Sequence, residues 1–196
     1  HDINIEEKNM DGNTPIHLAA TAEYIEPMIY LIENGSNIEE KNLDGNTSLH
    51  IAVASENEKM IQYLIEKGSN TEEKNLEGNT PLHIVVALEN ENLIKFLIES
   101  KSNIEEKNFE GNTPIHMAVA SENETIIKYL IEKGSNSEEK NLEGNTSLHI
   151  AAALDNDKIV KYLIQNGASS TQFTKNNAGQ IPYEVAKHND YIFRTL

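Results

Sequence analysis

The sequence predicts an all-α solenoid, in which helix-turn-helix units stack side by side and each unit carries a short hairpin-like finger. Three observations predict this fold. A segment that starts Gly-Asn-Thr recurs every 33 residues from Gly12 to Gly144. Apolar residues between the copies follow helical spacing, and polar, turn-rich sequence separates them. Because one such unit cannot bury its apolar face alone, we expect the units to stack.

The repeat period divides residues 1–196, which we interpret as a single repeat domain. Residues 1–8 match only a finger, and five repeats follow at 9–41, 42–74, 75–107, 108–140 and 141–175. The copy at Gly179 comes 35 residues after Gly144, so we place a two-residue insertion within residues 169–173. Residues 176–196 form a shorter sixth unit, predicted to be a carboxyl-terminal cap. The incomplete start indicates a fragment of a longer array, which we expect to be a monomer in isolation.

The first helix of each repeat is predicted to begin at a threonine. The Thr14 hydroxyl can accept a hydrogen bond from a free backbone N–H, and Pro15 has no N–H to leave unbonded. The following residues, 16–20, are apolar and suit a short helix. Small residues such as Ala19 would allow neighbouring helices to approach closely.

The second helix is predicted to begin after an asparagine such as Asn57, which can cap it. It ends at a glycine suited to a left-handed conformation in four repeats: Gly35, Gly68, Gly134 and Gly167. The third repeat has Lys101 there, and Val85 replaces a small alanine of its first helix. A side chain in the left-handed conformation costs about 1 kcal/mol relative to glycine, so the third repeat is the predicted weak point.

The motif Thr80-Pro81-Leu82-His83 with its 33-residue period resembles the ankyrin repeat signature over nearly the whole chain. The resemblance implies a finger and two antiparallel helices in each unit, with the motif histidine in a structural part. The motif residues are Thr14, His17, Thr47, His50, Thr80, His83, Thr113, His116, Thr146 and His149. One departure is that most ankyrin repeats have glycine where Glu56 stands.

Catalysis, metal binding and a cofactor are not predicted. The chain has no cysteine. Stacked helices lie about 8–10 Å apart, so one histidine per repeat gives a row whose members cannot share one metal ion. Each imidazole is instead expected to bond to nearby backbone. The repeated Glu-Glu pairs lie in extended segments, where adjacent side chains point to opposite sides and do not converge on one substrate.

The charge of the chain disfavours several partners. The net charge is −16, with 32 acidic against 16 basic residues. Phosphate recognition requires clustered Lys and Arg, so neither nucleic acid nor an anionic membrane is expected as a partner. A basic protein partner is favoured, although an acidic surface can also serve solubility alone. Glycosylation sequons at Asn46 and Asn145 precede predicted helix starts, which favours an intracellular, cytoplasmic setting.

The family resemblance implies a concave binding surface formed by finger tips and inner helices. Each tip pairs an apolar residue with an acid, and Phe109 is the aromatic among them. The residues assigned to this surface are Met10, Asp11, Leu43, Asp44, Leu76, Glu77, Leu88, Phe109, Glu110, Leu142, Glu143 and Leu154. We therefore expect a non-catalytic module that binds a protein with basic and apolar side chains. Two alternatives stay open: the tips pack on one another, or the stretch is a structural spacer without a partner.

Overall fold

A computed structural model describes residues 4–186 of the chain. Within those residues the regular structure is helical and no strand occurs. Its α-helices are α1 (Pro15–Ala19), α2 (Glu26–Glu33), α3 (Ser48–Ala54), α4 (Glu58–Glu66), α5 (Pro81–Ala87), α6 (Glu91–Glu99), α7 (Pro114–Ala120), α8 (Glu124–Glu132), α9 (Ser147–Ala153), α10 (Asp157–Gln165) and α11 (Pro182–Val185). A 3-10 helix, Ala168–Phe173, precedes the last of these. The five predicted helix pairs are therefore confirmed as α1–α10.

The chain divides into two compact units, His1–Asn103 and Ile104–Leu196. In the first unit α3 packs between α1 and α5, and in the second α9 packs between α7 and α11. Small side chains line these interfaces, since Ala52 and Ala151 have no exposed surface. Each second helix packs on the first helix of its own repeat through residues such as Ile61 and Leu64, which are also fully buried.

Each first helix is anchored by its motif threonine and histidine. The Thr14 N–H donates to His17 Nδ1 at 3.2 Å, and the Thr14 hydroxyl lies 2.8 Å from the same nitrogen. Because Nδ1 accepts a backbone proton, the ring proton sits on Nε2, which donates to the Asn46 carbonyl at 3.1 Å. The same Thr–His contact recurs at His50, His83, His116 and His149. The imidazole thus fastens a helix start to the next finger.

Burial keeps these rings neutral. Desolvation lowers the pKa of four motif histidines below the ordinary value for histidine, because a charged imidazolium loses hydration when it is buried. The four are His17, His50, His116 and His149. The neutral ring is also the form that can accept the threonine N–H. Protonation would therefore break the anchor, and no role as an acid or base is needed to explain these residues.

The second helices α4, α6, α8 and α10 are capped as predicted, whereas α2 begins after Ile25 without a side-chain cap. The Asn57 side chain accepts from the Met60 N–H at 3.2 Å, and Asn90, Asn123 and Asn156 make the equivalent bond. The four helix-end glycines all have positive φ. Lys101 occupies the same left-handed conformation with φ 71°.

Four further strained positions were not predicted. The turn between the two helices of a repeat has a non-glycine residue in the left-handed region, at Glu56, Glu89, Glu122 and Asp155, with φ between 52° and 58°. The sequence shows that an acid replaces the family glycine, but it does not by itself show that the acid keeps the left-handed backbone. Such an acid can reach the next repeat: Glu122 accepts from Asn156 Nδ2 at 2.7 Å, and Glu56 accepts from Asn90 Nδ2 at 2.5 Å.

The carboxyl-terminal end of the repeat series departs from this pattern. Equivalent hydrogen bonds between neighbouring fingers span 29 residues at Asn112–Asn141 and 31 at Asn145–Asn176, so two extra residues enter before the sixth finger. Their predicted position, residues 169–173, lies within the 3-10 helix. In the sixth unit Glu184 replaces the motif histidine, and its carboxylate accepts the Ile181 N–H at 2.9 Å. The predicted cap includes residues 187–196, which lie outside the described part of the chain.

Candidate interaction surface

The finger of each repeat is a tight turn closed by an asparagine side chain. In the second repeat the Asn42 N–H donates to the Asn46 carbonyl at 3.1 Å, and Asn42 Oδ1 accepts from the Asn46 N–H at 2.9 Å. The turn passes through Gly45, whose φ is 73°. An L-residue rarely adopts that value, which explains why glycine stands there. Leu43 and the acid Asp44 are thereby held at the tip.

Backbone hydrogen bonds align consecutive tips within each unit. In the first unit, the Leu43 N–H donates to the Asp11 carbonyl at 3.0 Å and the Leu76 N–H to the Asp44 carbonyl at 2.9 Å. In the second unit, the Leu142 N–H donates to the Glu110 carbonyl at 2.9 Å. The tip side chains are therefore carried on a fixed backbone and not on mobile loops.

The apolar tip side chains are largely exposed. The exposed fraction is 95% for Met10 and between 60% and 69% for Leu43, Leu76, Phe109 and Leu142. Leu88 and Leu154, at the ends of α5 and α9, are about two-fifths exposed, at 42% and 39%. This exposure argues against the alternative in which the tips bury themselves against one another. Each unit presents an apolar row instead.

Two classes of finger acid differ in whether they form ion pairs. Glu40, Glu73 and Glu139 form ion pairs with a lysine of the preceding repeat, as in Lys41–Glu73 at 2.8 Å, which lowers the pKa of these carboxyls. The tip acids are exposed, and within residues 4–186 none has an ion pair: Asp11, Asp44, Glu77, Glu110 and Glu143. Only the second class has charge left for a partner.

The other member of each Glu-Glu pair is also structural. Glu39 Oε1 accepts from the Asn70 N–H at 2.8 Å, and Glu72 and Glu105 bond in the same way to the next repeat. Burial raises the pKa of Glu39. Both glutamates of the pair Glu39-Glu40 therefore join neighbouring repeats, which the sequence analysis did not predict. Across residues 4–186, no group of three His, Asp or Glu side chains is placed to hold a metal ion.

Each unit contains a pocket between a finger tip and the inner helices. The pocket of the first unit, which we call the two-acid pocket, has a volume of about 460 Å³. Its lining includes Asp44, Glu77, Leu76, Ile51 and Ile84. The pocket thus combines an apolar floor with a rim that carries two carboxylates.

The equivalent pocket of the second unit has about 700 Å³, and we call it the one-acid pocket. Leu142, Ile150 and Val185 line it, with Glu143 as its carboxylate. Ala178 stands at the repeat position of Glu77, so the second acid is missing. The two pockets are built from the same repeat positions but differ in charge.

The chain matches the family model described as ankyrin repeats (3 copies) over residues 1–75 and 82–174. The chain belongs to the ankyrin repeat family. A search of curated proteins finds no match. Among solved structures, the ankyrin repeat domain of Bcl-3, a member of the IkappaB family, matches with a TM-score of 0.86 and 23% identity. That match covers 96% of this chain and 84% of the other, and it confirms the ankyrin solenoid as the fold.

Ankyrin repeats generally mediate protein–protein interaction, which gives the class of function. Within residues 4–186 the ankyrin repeats contain no helix that is long and apolar enough to cross a membrane. The sequence interpretation assigned the tips and the two inner leucines, but it missed the inner-helix isoleucines Ile51, Ile84 and Ile150, which line the pockets. Their signal was present, because each follows directly after a motif histidine.

Proposed function

We propose that this ankyrin repeat chain is a non-catalytic module that binds a protein partner through its finger tips and inner helices. The observation that carries the proposal is that each unit exposes apolar tips beside acids that have no ion pair within residues 4–186. An exposed apolar row with a charged rim is typical of a protein-binding surface. A partner segment with apolar and basic side chains would complement it.

The rigid backbone of the tips supports the proposal. Binding costs less entropy when the surface is already ordered, and here backbone hydrogen bonds fix the tips before any partner arrives. Phe109 is 60% exposed and is the aromatic tip residue, so it is the proposed anchor of the second unit. Exposed carboxylates at the rim would mainly speed association and set the preference for a basic partner.

The proposed setting is intracellular. Asn46 and Asn145 are sequon asparagines, and their side-chain oxygens accept hydrogen bonds from Asn75 Nδ2 at 3.1 Å and Asn176 Nδ2 at 2.9 Å. A glycan would attach to Nδ2 of the same half-buried amide, and its bulk would have to fit beside this link between fingers. The sequons are therefore better read as structural asparagines than as glycosylation sites.

A displayed library of random peptides, selected on the purified chain, tests the proposal. We expect enriched peptides to combine basic and apolar residues and to bind more weakly as salt rises, because salt screens exposed charge. For peptides that bind the second unit, Phe109→Ala should weaken binding about tenfold. Isothermal titration calorimetry measures both effects.

Phe173 provides the matched control, since it is 79% exposed in the same unit but lies in the 3-10 helix, outside the surface. Phe173→Ala should leave the affinity unchanged. Peptides that bind equally well to both variants and at all salt concentrations would reject this surface. Failure to enrich any peptide would favour the alternative of a structural spacer.

A further inference from the structure

The two pockets differ in a way that predicts different side-chain preferences, beyond a general preference for basic partners. They are formed by the same positions of the repeat, a finger tip, an inner helix and the next finger tip. Glu77 in the two-acid pocket corresponds to Ala178 in the one-acid pocket. The main chemical difference between the pockets is therefore one carboxylate, which would change their affinity for a charged side chain.

We propose that the two-acid pocket accepts an arginine side chain of the partner. This inference rests on the proposed function and names the chemistry of one contact within it. The carboxylates of Asp44 and Glu77 would face the guanidinium, and the apolar floor of Ile51, Leu76 and Ile84 would cover its methylene stem. Arginine fits better than lysine, because its planar group has five donors and can bond to two carboxylates at once.

The positions of the two carboxylates are restrained by the structure. Glu77 Oε2 accepts from Asn79 Nδ2 at 2.8 Å, which orients the carboxylate and leaves its other oxygen for a ligand. The Asp44 carbonyl accepts the Leu76 N–H, so the backbone that carries Asp44 is fixed as well. Neither residue has an ion pair within residues 4–186, and a bound arginine would therefore not displace a cation of the chain itself.

The one-acid pocket is expected to take an apolar side chain instead. Its rim carries Glu143 but has Ala178 opposite, and its floor is formed by Leu142, Ile150 and Val185. Its volume of about 700 Å³ exceeds the 460 Å³ of the two-acid pocket. A leucine or aromatic side chain would bury apolar surface there. An arginine in the same pocket would meet only one carboxylate, so part of its guanidinium would be desolvated without a charged partner.

Nuclear magnetic resonance titration of the 15N-labelled chain tests the inference. The probes are three capped tripeptides, Ala-Arg-Ala, Ala-citrulline-Ala and Ala-Leu-Ala, where citrulline keeps the shape of arginine without its charge. We expect the arginine peptide to shift the amide signals of Ser55, Leu76 and Glu77, and to bind roughly fivefold more tightly than the citrulline peptide. The leucine peptide should shift signals around Ile150 and Ala178.

Two variants exchange the chemistry of the pockets. Glu77→Ala should weaken binding of the arginine peptide at the first pocket about fivefold, and Ala178→Glu should create a second arginine site in the other unit. Glu99→Ala is the control, because Glu99 is an exposed acid of the first unit at the end of α6, outside the pocket, and its loss changes the net charge equally. That variant should bind like the unaltered chain.

The outcomes separate this inference from the proposed function. Equal binding of arginine and citrulline peptides, or equal shifts of all acidic tips, would overturn the arginine pocket while leaving the interaction surface in place. Binding of the leucine peptide alone would do the same. If no probe perturbs either surface, both the inference and the proposed function lose their support.

Discussion

Fingers and helix ends both bend through left-handed backbone, but they differ in what surrounds the bend. Gly45 in a finger has φ 73°, and Gly68 at the end of α4 has φ 92°. A Cβ atom built on Gly45 would lie 2.8 Å from the Leu76 backbone nitrogen, whereas no atom lies within 4 Å of one built on Gly68. The finger glycine is therefore required by packing and conformation, and the helix-end glycine by conformation alone.

The chain itself shows what this difference permits. Every finger keeps its glycine, from Gly12 to Gly179. The sites of Gly12, Gly45, Gly111 and Gly144 are crowded, whereas that of Gly179, in the last finger, is open. At the helix ends, Lys101 takes the place of glycine in the third repeat and keeps the same hydrogen bond, from its N–H to the Ile98 carbonyl at 3.0 Å. An open site accepts a side chain at the cost of strain, and a crowded site accepts none.

The largest predicted effect is that of Gly45→Ala. The added methyl group must move the Leu76 backbone or abandon the left-handed turn, and either change breaks the link between two fingers. We expect a loss of roughly 2–5 kcal/mol in the free energy of unfolding. Urea denaturation followed by circular dichroism measures it, provided that the transition of each unit is resolved.

Gly68→Ala is the matched comparison, since it adds the same methyl group at a similar φ but into open space. Its cost should be limited to conformational strain of about 1–2 kcal/mol. If the two substitutions destabilise the chain equally, crowding does not distinguish fingers from helix ends, and the comparison fails.

The regular part of the structure could be predicted because each of its causes repeats with the period. Thr14, His17, Asn57 and Gly68 act through bonds to nearby backbone, which a local pattern shows. The part that could not be predicted depends on contacts between repeats. The Glu39 link to the Asn70 N–H is an example, because sequence alone does not fix the register of neighbouring fingers.

The candidate surface divides in the same way. The apolar tips and their acids could be placed on the fingers by position, as Leu76 and Glu77 show. The pockets could not, because a pocket needs the distance between a tip and the inner helix of the neighbouring repeat. The sequence shows that Ala178 is uncharged, but only the structure shows that it lines the same pocket as Glu143.

The next effect in size, after this matched pair of glycine substitutions, is a gain from Lys101→Gly. The open helix end gives the lysine side chain no hydrogen bond or ion pair within residues 4–186, so its removal loses little. Relief of the left-handed strain at φ 71° should stabilise the chain by about 1 kcal/mol and raise its melting temperature. Differential scanning calorimetry measures the change. The control is Lys133→Gly at the end of α8, where φ is −79° and there is no left-handed strain to relieve, so it should lower the melting temperature. A melting temperature that does not rise would contradict the third repeat as the weak point.

The smallest effect is expected at the turn between helices, where acids occupy the left-handed position. Glu122→Gly would relieve strain comparable to that at Lys101, since φ is 57°. It would also remove the hydrogen bond that Glu122 accepts from Asn156 Nδ2, which links two repeats and is worth about 0.5–1.5 kcal/mol. The two terms oppose each other, so we expect a net change within about 0.5 kcal/mol by urea denaturation. A double-mutant cycle of Glu122→Gly with Asn156→Asp, which keeps the capping oxygen, measures the hydrogen bond separately from the strain. If Glu122→Gly stabilises the chain as much as Lys101→Gly, the acid contributes nothing beyond strain, and the two kinds of open left-handed site are equivalent.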